Sequence, residues 1–273
     1  MIRAVSLAAV FLSVAALEAQ WPNRISPDAP RTPNGEVDVD APAPRTADGK
    51  PDLSGIWRGG GSSYARGRRT GFSQPGSDVF EAIGLRYLPF VGAPLNDYGE
   101  ALLRQREATN ARDNPRGLCL PVGIMQLHIA ALPARYVQTS RELVILYEAN
   151  GERREIFTDG RSMPANDPQP WWNGYSVGRW EGDRLVVETT HFRDGGWLDA
   201  AGHPLTDAAK ITERFHRTSY GRMEIDITID DRKAYLRPIK VRRNQALMVD
   251  GELIESVCLE NNHFPPAPDR GKR

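Results

Sequence analysis

Glu213 lies in the run Ile211-Thr212-Glu213-Arg214-Phe215. If that run is a strand, alternation puts Glu213 on one face with Ile211 and Phe215. A carboxylate in an apolar stripe is costly unless a cation pairs with it or a proton neutralises it. The same parity groups Leu185, Val187, Thr189 and His191, then Tyr175, Val177 and Arg179, then Val144, Leu146 and Glu148. If those faces meet inside a closed barrel, the interior holds Glu213, His191, Arg179 and Glu148. That is the material of general acid–base catalysis. Glu213 would be the acid or base, His191 its partner, and Arg179 or Arg161 the group that stabilises an anion. The competing reading puts these residues at the rim, as surface ion pairs worth under about 1 kcal/mol.

A second group lies between residues 159 and 175. Asp159 and Arg161 flank Gly160, and Trp171-Trp172-Asn173-Gly174-Tyr175 follows; four of the six tryptophans fall between 171 and 197. Trp171, Trp172 and Tyr175 could form a lid or ligand platform, with Asp159 and Arg161 orienting a polar group. They could equally cover the barrel end while Asp159 and Arg161 pair with each other. His128, in Met125-Gln126-Leu127-His128-Ile129, is either a hydrogen-bonded core residue or a ligand contact. Arg66, Arg68 and Arg69 read as a solvated surface or, less favoured, a phosphate site. The five histidines show no metal-ligand spacing, and no HExxH, GxSxG, Walker or dinucleotide fingerprint occurs. No metal and no cofactor is therefore expected. Cys119 and Cys258 are the only cysteines and lie in no CxxC. In an oxidising compartment they would form a disulfide closing a long loop, worth about 4–5 kcal/mol in the chain-entropy model. The alternative is two buried thiols.

The elements that would carry these residues are short strands. Residues 143–148 and 153–158 flank Asn150-Gly151, a hairpin signal. Residues 175–180 and 185–192 flank Glu181-Gly182-Asp183, residues 211–217 and 223–230 flank Ser219-Tyr220-Gly221, and 254–260 reads as a last strand. One helix is expected over 96–110, capped by Asn96 or Asp97 with Glu100 behind and Leu102 and Leu103 on its apolar side. Residues 59–77 read as a long loop. The expected fold is mainly β, an antiparallel meander closing into a barrel, with one helix and long loops inserted after the first strand. Closure removes the exposed edges; a sandwich is the competitor.

The chain opens with Arg3 and an uncharged, mostly apolar run of 14 residues, 4–17. It is shorter than the roughly 20 residues of a spanning helix and fits a cleavable export signal. The expected organisation is a signal peptide over 1–19, a flexible Pro-rich tail over 20–52, one barrel domain over 53–264 and a disordered tail over 265–273. Removal of Arg3 and Glu18 leaves the charge balanced, as in the full chain with 35 basic and 35 acidic residues. A neutral chain offers no general field for nucleic acid, and no membrane span is expected in the mature protein. A periplasmic or secreted location follows.

The segments CLPVG, VILYE, TDGR, YSVGRWEGDRLVVETTHF and ITERFHR together resemble a widespread, uncharacterised family of exported bacterial proteins. SGIW and the meander carry a weaker likeness to lipocalin-like (calycin) β-barrels. That likeness implies an interior cavity for a small, partly apolar molecule, and the tryptophans point to an aromatic or terpenoid-like one. The functions expected are a cofactor-independent lyase, isomerase or cyclase, or else a non-catalytic binding or carrier protein. A filled barrel with a structural role is the third reading.

Overall fold

Alternation of apolar and polar residues governs most of this chain, and strands are what form. In chain order they are β1 (Gly55–Gly59), β2 (Phe80–Glu81), β3 (Ala134–Gln138), β4 (Glu142–Tyr147), β5 (Arg153–Phe157), β6 (Tyr175–Glu181), β7 (Arg184–Thr190), β8 (Gly196–Trp197), β9 (Pro204–Leu205), β10 (Lys210–Ser219), β11 (Arg222–Asp230) and β12 (Ile239–Leu247). Among the described residues two α-helices accompany them, α1 (Asp97–Ala108) and α2 (Ile124–Ile129). The computed structural model describes residues 27–59, 80–81, 90–130, 132–166 and 169–260. The segment read as an export signal, the arginines at 66, 68 and 69, and residues 261–273 lie outside the described residues.

Nine strands close a barrel in the order β1-β3-β4-β5-β6-β7-β10-β11-β12, and β12 returns to β1 through Trp57 opposite Leu247. The expected mainly β barrel is therefore the fold. Every barrel pair is antiparallel except β5–β6, which is parallel and joined only at Ile156–Ser176 and Phe157–Val177. The long 158–174 connection carries the chain back to the same end of the barrel, which makes that pair parallel.

The three expected hairpins form as β4–β5, β6–β7 and β10–β11. In β11, Met223, Ile225, Ile227 and Ile229 point inward and the intervening residues face water, as alternation requires. The core they enter includes Trp57, Ile145, Ile156, Val187 and Phe215. The last strand is not 254–260, which holds no regular structure. It is β12, whose inward positions include Arg243 and Gln245 as well as Ile239 and Val241. Those polar residues hide its alternation. Residues 251–260 are instead tied on covalently by the Cys119–Cys258 disulfide.

Asn96 caps α1, accepting from the Gly99 amide at 3.0 Å. Docking depends less on the half-buried Leu102 and Leu103 than on Gly99 and Arg106, the helix's buried residues. A Cβ at Gly99 would lie 2.3 Å from the Ala234 carbonyl oxygen, so only glycine permits the approach. α2, absent from the sequence reading, is buried at all six positions.

From residue 27 the expected flexible tail is folded against the barrel. The Tyr220 and Gly221 amides donate to the Ala41 and Val39 carbonyls, Arg222 pairs with Asp40 and Arg45 with Asp183. Its proline-rich turns dock through polar groups, so it needs no apolar periodicity.

Candidate active site and ligand cleft

Inside the barrel β10 presents Ile211, Glu213 and Phe215, and Glu213 is fully buried. β5 presents Arg154 and Ile156, so a guanidinium enters the same interior. Arg154 donates from Nη1 to Glu213 Oε1 at 3.0 Å and from Nη2 to Oε2. It also donates to Ser176 Oγ at 3.1 Å and Thr189 Oγ1 at 2.9 Å, while those two hydroxyls bond each other at 3.0 Å. From α2, His128 Nε2 reaches Glu213 Oε1 at 2.7 Å, which requires a proton on that nitrogen when Glu213 is ionised. Arg243 Nε donates to the His128 carbonyl at 3.2 Å and anchors the end of α2.

Burial alone would raise the Glu213 pKa. The Arg154 charge and the hydrogen bonds from His128 and Arg154 outweigh it and bring the carboxyl down to about 2. Such a group is ionised throughout the neutral range and has little driving force for taking up a proton. Glu213 is the counter-ion of Arg154. Burial raises the phenols of Tyr136 and Tyr147 in the same way; there it prevails, and they stay neutral.

Glu213 thus meets a histidine and an arginine, but not His191 and Arg179. On β6 the inward residues are Ser176 and Gly178, and Arg179 lies outside against Glu181 and Glu188. At His191 the backbone turns to φ +60° and the chain leaves the barrel. Its ring bonds Thr190 Oγ1 at 2.8 Å, and its carbonyl receives the Trp171 amide at 2.9 Å. β4 points Leu143, Ile145 and Tyr147 inward, so the Val144–Leu146 face is the outer one. Glu148 lies past the strand end, where its Oε2 accepts from the Ile254 amide at 3.3 Å. Asp159 and Arg161 pair with each other at 2.7 Å on an outer loop, and Arg161 lies 3.7 Å over the Phe157 ring.

Trp171, Trp172 and Tyr175 do come together. They and Phe157 wall a cleft of about 440 Å³ beside the short β5–β6 seam. Glu152, Arg154, Asn173 and Ser176 are among its polar lining residues, with the charged Arg153 and Glu155 beside them, and Arg154 links the cleft to the interior network. Glu152 is nine-tenths buried. Its Oε1 accepts from the Val122 amide at 2.8 Å and its Oε2 from Asn173 Nδ2 at 3.1 Å. Burial raises its pKa against those two hydrogen bonds.

Gly174 makes the wall possible. It adopts φ +64°, and a Cβ there would lie 2.6 Å from Thr189 Cγ2 and 2.8 Å from the Thr190 carbonyl oxygen.

Arg154 and Glu152 were both missed from sequence. Arg154 was legible, because it alternates with Ile156 as Glu213 does with Phe215. Glu152 precedes its strand and had no periodic signal. Among the described residues no group of three or more His, Cys, Asp or Glu side chains is placed to hold a metal ion. No protein-family model, curated protein or solved structure matches the chain.

Proposed function

We propose that the protein binds a small, partly apolar molecule with an aromatic or similarly flat body in the cleft beside β5 and β6. The observation that carries this is the wall of Phe157, Trp171, Trp172 and Tyr175 around a few polar groups. Ligand sites combine apolar walls with sparse polar anchors in that way. The disulfide supports an oxidising, periplasmic or secreted setting. Among the described residues no helix is long and apolar enough to cross a membrane.

A second reading is turnover by a cofactor-independent lyase or isomerase. It rests on Glu152, a buried carboxyl with a raised pKa, which suits proton transfer better than Glu213. Titration of small aromatic and terpenoid molecules against tryptophan fluorescence tests the binding. Trp172→Ala should weaken it several-fold, the scale of about 0.5–1.5 kcal/mol for an aromatic contact. Saturable binding unchanged by Trp172→Ala and Tyr175→Ala would place the ligand elsewhere. Product analysis on bound ligands separates enzyme from carrier: turnover lost in Glu152→Gln supports the enzyme, and unchanged ligand throughout supports the carrier.

A further inference from the structure

The polar end of the cleft holds a carboxylate that no cation pairs with among the described residues. Glu152 receives the Val122 amide and Asn173 Nδ2 but forms no ion pair among the described residues. The arginines beside it are engaged elsewhere: Arg153 faces Glu155 at 3.7 Å, and Arg154 is bound to Glu213. Because Asn173 must turn its NH₂ toward the carboxylate, its Oδ1 faces the other way. That Oδ1 is buried and has no hydrogen-bond partner. A buried acceptor left unmade costs about 1–3 kcal/mol. The corner therefore holds a carboxylate met by two neutral hydrogen-bond donors and by no cation among the described residues.

We infer that the ligand carries a protonated amine, which pairs with the Glu152 carboxylate while its apolar body lies against the tryptophans. A primary ammonium has three donors and no acceptor, the inverse of this corner. The inference rests on the cleft being the binding site and adds the class of head group.

Three probes of one shape and different charge test it: 2-phenylethylamine, 2-phenylethanol and phenylacetate, titrated at pH 7 against tryptophan fluorescence and by calorimetry. The amine should bind about tenfold or more tighter than the alcohol, the scale of a hydrogen bond to a charged group, with the carboxylate weakest. In Glu152→Gln the amine's advantage over the alcohol should disappear. Equal affinity for amine and alcohol, or preference for the carboxylate, overturns the amine inference and leaves the cleft reading standing. Binding of none of the three overturns both. If Glu152→Gln does not fold, the ranking of the three probes on the unaltered protein decides alone.

Discussion

A carboxylate in an apolar strand face is stable only with its partner. At the residue scale this protein turns on Arg154 and Glu213, each almost wholly buried. Removing one partner strands the other charge in the core, at a cost of about 3–5 kcal/mol. Arg154→Met and Glu213→Leu should each lower urea-unfolding stability by that order. The Arg154→Met/Glu213→Leu double variant should lose far less than the sum, and additive losses would mean the pair is not coupled. The pH dependence has a definite sign. Glu213 is held at about 2 against an ordinary 4.5, so the unfolded chain takes up its proton first on acidification. The pair's contribution is full above pH 4.5 and is lost as pH falls from there toward 2. Urea midpoints measured from pH 6 to pH 3 should fall more steeply for the native protein than for the double variant.

At the scale of elements, the cleft exists because β5 and β6 meet through only two residue pairs. The 171–174 segment fills that side instead. It is pinned by the Trp171 amide to His191 and by the Arg193 amide to the Trp171 carbonyl. Gly174 is the joint, since its left-handed φ and its closeness to β7 both exclude a side chain. Gly174→Ala should cost about 1–3 kcal/mol, the range for backbone strain at a site of this kind. It should also shift the tryptophan emission and weaken ligand binding. A stable Gly174→Ala protein with unchanged emission would show that the wall does not depend on this joint. His191, expected to hold a proton beside Glu213, serves this joint through its backbone.

At the scale of the molecule, closure is completed twice. β12 pairs with β1 to remove the sheet edges, and the Cys119–Cys258 bridge ties positions 139 residues apart. The bridge also fastens the 251–258 segment beside Glu148 and the Glu152 loop. In the chain-entropy model its loss from a loop of this length costs about 4–5 kcal/mol. Cys119→Ala/Cys258→Ala, or the native protein under reductant, should lose stability on that scale in urea. A loss below about 1 kcal/mol would mean that the denatured state is already constrained or the native bridge strained. The N-terminal 27–52 segment extends the folded unit by laying its turns along the β10–β11 hairpin end.

The sequence by itself determined the period-two alternation, the three hairpins and their turns and the start of α1 at Asn96 or Asp97, and it offered an inward Glu213 and a paired Cys119 and Cys258 each beside an alternative. These are local or arithmetic properties. Alternation assigns a face, and Asn-Gly or an N-cap acts within a few residues. Even Arg154 was readable on those terms, from Arg153-Arg154-Glu155-Ile156. Only the tertiary structure decided which inward residues meet. Glu213 lies 59 residues from Arg154 and 85 from His128 in the chain, and their contact depends on strand order, register and the burial of α2. It also decided which face of β6 is inner, and so that Arg179 belongs outside. It placed Glu152, whose position in a strand-leading turn carries no periodicity, at the polar end of an aromatic cleft. Alternation sets the direction of a side chain, but the side chain it meets is set by the whole closed barrel.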